Sequence, residues 1–199
     1  MVIIPALSLG YQGVPKVGTT SMYSWLYEHL LQVNGTLVDE VDLKSPNHKR
    51  LLFTAGKAGN VLVPNTAEAV HPYASAFKFA FTRDPVKRFV SMYRNRVVHH
   101  RELGSRTSAA ARMRQHGLAV DPSIDLLVER WEDYRSCSVS IAHHARTQLD
   151  FLGPDLSVYD RLIDLSGMAT VLEEVRKRWR STHLASLAER RKRLTPAPA

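Results

Sequence analysis

Val2-Ile3-Ile4-Pro5-Ala6-Leu7-Ser8-Leu9, then Gly10-Tyr11-Gln12-Gly13-Val14-Pro15-Lys16-Val17-Gly18, then Thr19-Thr20-Ser21-Met22 is the stretch that decides the fold. Its first part is aliphatic and β-branched, which reads as one buried strand from Val2 to Leu9. Gly10, Gly13 and Pro15 then read as a glycine-rich loop. From Thr19 the pattern changes to helical spacing: Met22, Trp25, Leu26, Leu30 and Val33 recur on one face, and Asn34-Gly35 stops the run. The opening unit is therefore strand, loop, helix.

Further along, Thr36 to Val41 and Asn60 to Val63 read as short strands. Ser75 to Thr82, with Phe77, Phe79 and Phe81 alternating, reads as a stronger one. Arg83-Asp84-Pro85 follows, with Asp84 suited to cap a helix and Pro85 to open it. Phe89, Val90, Tyr93 and Val97 continue that helix. The stretch from Gly104 to Gly117 is rich in Ser, Ala and Arg and reads as a loop or a loose helix. Asp121-Pro122 opens another helix, with Ile124, Leu127, Val128 and Trp131 on one face. Val158 to Leu165 is a late strand. Val171 to Leu194 is a basic helix, and residues 195–199 are a frayed Pro-rich tail after a single domain spanning 1–194. Strands alternating with helices predict an α/β fold with a largely parallel central sheet flanked by helices. In such folds ligands sit at the carboxyl ends of strands. The junctions at 13–20 and 82–88 are thus the first places to look.

Composition sets the outer limits. The chain has 199 residues, 44% hydrophobic and 23% charged, ordinary values for a globular protein. The one cysteine, Cys137, excludes an intramolecular disulfide and favours a reducing, cytoplasmic setting. The apolar N-terminus lacks a basic leader and reads as a strand rather than a signal peptide. No run approaches the roughly 18 apolar residues that a membrane span needs. The net charge of +8, from 27 basic and 19 acidic residues, fits an anionic partner.

At the first junction, Pro15-Lys16-Val17-Gly18-Thr19-Thr20-Ser21 meets the start of a helix, where unpaired N–H groups and a partial positive charge suit phosphate. Gly18 lets the backbone approach an anion, the threonines add hydroxyl donors, and Lys16 adds a full charge. The ATP-type loop places its lysine after the second glycine; here Lys16 precedes Gly18. This stretch resembles the 5′-phosphosulfate loop of sulfotransferases that use 3′-phosphoadenosine 5′-phosphosulfate (PAPS). The resemblance implies a three-layer P-loop-like fold. It also implies that Lys16 meets the oxygen bridging the sulfuryl group and the phosphate.

At the second junction, Arg83-Asp84-Pro85-Val86-Lys87-Arg88-Phe89-Val90-Ser91-Met92-Tyr93 resembles the 3′-phosphate motif of the same family. An arginine fork and a serine hydroxyl can share one phosphate, and the resemblance gives Arg83 and Ser91 that task. Arg88 and Tyr93 match positions usual in the carbohydrate-type and bacterial members. A third likeness, His144-Ala145-Arg146-Thr147-Gln148, departs from the family pattern at Thr147, where a proline is usual. The glutamate usual after the late strand is also missing, with Ser166-Gly167-Met168 in its place.

The activity implied is transfer of a sulfuryl group from PAPS to an acceptor hydroxyl, of a glycan or a small metabolite. Adenosine 3′,5′-bisphosphate is the product, and no metal is needed. Such chemistry needs a general base, usually His or Glu, within hydrogen-bond reach of the acceptor. Glu40 and His48 stand first among the candidates, ahead of His71, which precedes Pro72. Two rival readings remain at this level: a P-loop small-molecule kinase, against which the lysine order argues, and a non-catalytic nucleotide-binding relative. The basic stretches 176–180 and 190–193 read as solvated helix faces rather than a nucleic-acid footprint.

Overall fold

The structure, a computed structural model, describes residues 1–5, 8–34, 73–178, 180 and 181. The strands expected at 36–41 and 60–63, the side chains of Leu30 and Val33, and the basic segment and tail beyond 181 lie outside the described residues. The chain divides into two compact units.

The first unit holds the sheet. Its strands are β1 (Val2–Ile4), β2 (Leu9–Gln12), β3 (Phe77–Thr82, whose last residue belongs to the second unit) and β4 (Arg161–Asp164), in the order β1-β2-β3-β4. The expected single strand from Val2 to Leu9 is a hairpin instead. β1 and β2 pair antiparallel, with Val2 opposite Tyr11 and Ile4 opposite Leu9. The cause is local. Pro5 has no N–H to extend a ladder, and Ser8 adopts a left-handed φ of 47° while its N–H closes a turn onto the Pro5 carbonyl at 3.0 Å. Gly10 therefore lies within β2, not in the loop. β2 runs parallel to β3, from Leu9 opposite Phe77 to Gln12 opposite Ala80.

The alternating aromatics predicted for β3 are present, but the strand is buried on both faces from Phe77 to Phe81. Tyr11, Phe79 and Phe81 cluster, with ring centroids 5.2 to 6.2 Å apart. Helix α1 (Thr19–Asn34) adds Met22 and Leu26, both fully buried. Asp160 accepts from the Lys78 N–H at 2.7 Å and returns its own N–H to the Lys78 carbonyl at 2.8 Å, tying the entry to β4 to β3. After β4 the chain is helical over 168–178, and Val171 and Val175 of that segment are buried.

The second unit is helical. It holds α2 (Pro85–Met92), a π-helix (Tyr93–His99), α3 (Ala109–Gln115), α4 (Ile124–Glu129), α5 (Trp131–Cys137), α6 (Val139–Ala145) and the short α7 (Leu149–Leu152). Asp84 caps α2 as expected: its carboxylate accepts from the Lys87 N–H, and Pro85 opens the helix. The stretch 104–117 contains an ordered helix, α3, which buries Ala109, Ala110 and Met113. The single helix expected after Asp121-Pro122 breaks at Arg130 into α4 and α5. Within α4 Leu127 is buried, but Val128 is 57% exposed rather than on the same face. The core gathers Met92, Val97, Leu103, Met113, Leu127, Tyr134, Cys137 and Ile141. Among the described residues, no helix is long and apolar enough to cross a membrane.

Candidate functional site

Lys16 belongs to a four-residue loop, 14–17, that is part of the helical unit. Val14 and Val17 are fully buried and anchor the loop at both ends. Lys16 itself has a φ of 68°. For a residue with a Cβ, this left-handed conformation costs about 1–2 kcal/mol, so the surroundings must hold it. They do so through two arginines. Arg83 Nη1 donates to the Lys16 carbonyl at 3.1 Å, and Arg88 Nε donates to the Pro15 carbonyl at 2.9 Å.

Beyond the loop, Gly18 has a φ of 74°, and a Cβ there would come within 2.7 Å of Met168 Cε. The left-handed φ favours glycine, while the close approach involves only the flexible end of the Met168 side chain. Thr19, Thr20 and Ser21 form the first turn of α1, where backbone N–H groups have no partner within the helix. Thr20 and Ser21 are exposed.

Arg83 is the first residue after β3. Its backbone is clamped by Gln148: the Arg83 N–H donates to Gln148 Oε1 at 2.9 Å, and Gln148 Nε2 donates to the Arg83 carbonyl at 2.8 Å. The third likeness seen in the sequence thus has a structural task, which is to hold the second.

Arg88 has a different role from Arg83. It is buried, and each of its three side-chain nitrogens donates to a backbone carbonyl: Pro15, Arg146 at 2.7 Å and His144 at 3.1 Å. It braces the lysine loop and the end of α6 against α2. Tyr93 is also structural, donating its hydroxyl to the Pro122 carbonyl at 3.0 Å.

These placements form a cleft of about 630 Å³, in which Lys16, Arg83 and Ser91 are lining residues together with Lys87, Arg94, Asn95 and His99. No acidic side chain is among the described residues that line it. Burial, and then the charges of Arg96 and Arg83, push the Lys16 ammonium below its ordinary pKa, while Glu102 works the other way. His144 is pushed down to about 4, first by burial and then by Arg96, His143, Lys16 and Arg88, so it is neutral at physiological pH. Its Nδ1 is buried and has no hydrogen-bond partner among the described residues. An anion entering this cleft would relieve the mutual repulsion of its cations.

Lys87, Arg94, Asn95 and His99 were missed in the sequence reading. Part of the signal was available, since Lys87, Ser91, Asn95 and His99 recur at every fourth position. Glu40, His48 and His71, the candidate bases, lie outside the described residues. Among the described residues, no group of three His, Cys, Asp or Glu could hold a metal ion.

The family model described as "Sulfotransferase family" matches residues 1–195. Neither a curated protein nor a solved structure matches the chain.

Proposed function

The chain belongs to the sulfotransferase family, and from that premise we propose that its sulfuryl donor is PAPS and its acceptor a hydroxyl of a glycan or small metabolite. The observation that carries this reading is the meeting of Lys16, Arg83 and Ser91 on one cleft that no acidic side chain lines among the described residues, although the chain separates them by up to 75 positions.

On this reading each residue has a distinct task. Arg83 and Ser91 hold the 3′-phosphate of the donor, through a guanidinium fork and a hydroxyl. Gly18, Thr19, Thr20 and Ser21 bring the N-terminus of α1, with its partial positive charge, to the 5′-phosphate. Pro15 and Val17 shape the loop around Lys16. The acceptor oxygen attacks sulfur, the bond from sulfur to the bridging phosphate oxygen breaks, and adenosine 3′,5′-bisphosphate leaves. Lys16 stabilises the charge that develops on that leaving oxygen, the kind of electrostatic assistance that dominates group transfer. The acceptor proton passes to a general base, for which Glu40 and His48 are the candidates.

The test is calorimetric titration with adenosine 3′,5′-bisphosphate, with AMP and ATP as controls. The reading expects clearly tighter binding of the bisphosphate. Equal affinity for AMP would remove the 3′-phosphate role of Arg83 and Ser91, and tighter ATP binding would favour a kinase.

A further inference from the structure

We propose that Asn95 is the positioning residue of Lys16, and that the π-helix Tyr93–His99 is what delivers it. The proposal rests on the reading of Lys16 as the group that meets the leaving oxygen, and deepens it.

The geometry is direct. Lys16 Nζ donates to Asn95 Oδ1 at 2.6 Å, across 79 positions of sequence. Among the described residues, no ion pair involves Lys16. A lysine side chain is long and rich in rotamers, and Arg83 and Arg96 both act on this one with like charge. Repulsion alone would turn the ammonium toward solvent. The amide oxygen gives it one fixed direction instead.

The kind of acceptor also matters. An amide orients the ammonium without neutralising it, so the full positive charge remains available to an anion in the cleft. A carboxylate in the same place would orient the lysine equally well but compete with that anion for it.

The helix register explains how Asn95 comes to the cleft. Lys87, Ser91, Asn95 and His99 all line it, each four residues from the last. In an α-helix four residues exceed a 3.6-residue turn, so such a stripe drifts steadily around the axis. The π-helix closes hydrogen bonds one residue further on and has a wider turn; here His100 N–H donates to the Asn95 carbonyl at 3.0 Å. Four residues fall short of that wider turn. The drift reverses after Met92, and Asn95 and His99 stay on the side that Lys87 and Ser91 began.

The experiment reads Lys16 itself. The rate of acylation of the Lys16 amine is followed against pH, by mass spectrometry of its peptide, in the wild type, Asn95→Asp, Asn95→Ala and Asn95→Ser. The same proteins are titrated with adenosine 3′,5′-bisphosphate. Asn95→Asp should move the reactivity midpoint of Lys16 upward by about one pH unit or more and weaken bisphosphate binding tenfold or more. Asn95→Ala should move the midpoint downward, and Asn95→Ser, which keeps an acceptor, should lie between Ala and wild type. Coincident midpoints in all the proteins would overturn the proposal, even if the wild type binds the bisphosphate well. Separated midpoints in a protein that binds no bisphosphate would instead uphold the pairing of Lys16 with Asn95 and remove the donor reading.

Discussion

Gln148 and Arg83 exchange two hydrogen bonds, amide oxygen to backbone N–H at 2.9 Å and amide nitrogen to backbone carbonyl at 2.8 Å, across 65 positions of sequence. The side chain imitates one rung of a β-ladder at the point where β3 ends. Arg83 therefore has its backbone fixed where it lines the cleft, and its guanidinium donates to the Lys16 carbonyl.

Gln148→Ala should act through Arg83. It leaves a backbone donor and acceptor unpaired, a loss of about 1–3 kcal/mol in stability. It should also weaken adenosine 3′,5′-bisphosphate more than adenosine 5′-phosphosulfate, which lacks the 3′-phosphate. Urea unfolding and calorimetry measure the two effects. A stability loss with both nucleotides equally affected would deny Gln148 its link to the 3′-phosphate.

Arg83→Ala should weaken the bisphosphate at least tenfold, in line with about 1.5–3 kcal/mol for a charge-assisted contact. Because Arg83 also bonds the Lys16 carbonyl, adenosine 5′-phosphosulfate should lose a smaller part of its affinity. A triple change of Arg190, Arg191 and Arg193 should leave both affinities unchanged. Equal losses from the two sets of changes would contradict the placement of the donor at Arg83.

Lys16→Ala should reduce turnover by about 10²–10³, the usual loss for one electrostatic contact made in the transition state. Bisphosphate affinity should fall far less. Near-normal turnover in a mutant of unchanged circular dichroism would count against the leaving-group role.

Arg88→Lys tests a brace rather than a ligand. A lysine keeps the charge but cannot reach three carbonyls in a fixed fork. With Arg88 only 7% exposed, the change should destabilise the protein by about 3 kcal/mol, read as a lower urea midpoint. An unchanged midpoint would show that the Pro15, His144 and Arg146 carbonyls do not depend on it.

His144 sets an acid limit. Its folded pKa of about 4 lies below the ordinary value of 6.5. Above that ordinary value both folded and unfolded forms are neutral, and the residue adds no pH dependence. As pH falls toward 4, the unfolded chain takes up a proton that the folded one refuses. Stability should therefore drop, by at most about 1.4 kcal/mol per pH unit. His144→Gln should flatten this slope between pH 6.5 and 4, measured by urea midpoints at several pH values. A mutant slope equal to the wild type's would assign the acid sensitivity to other groups.

The sequence alone determined the features that depend on neighbours along the chain. Asp84 and Pro85 start α2 because a cap and a fixed φ act within one turn, and the aromatics of β3 mark a strand because alternation is local. The order of Lys16 and Gly18 set the chain apart from ATP-type loops for the same reason. Pro5 and Ser8 could have signalled the hairpin, but the aliphatic run around them masked a turn that only the pairing of Val2 with Tyr11 makes visible. The tertiary structure decided everything that depends on partners far apart. It assigned Arg83 to the cleft and Arg88 to the carbonyls, although both are arginines near one helix start. It gave Gln148 its clamp, and it brought Asn95 to Lys16 through a π-turn that no local pattern announces. Hydrogen bonds and charge repulsion act over a few ångströms of space whatever the separation along the chain, so these roles arise only once folding has set the distances.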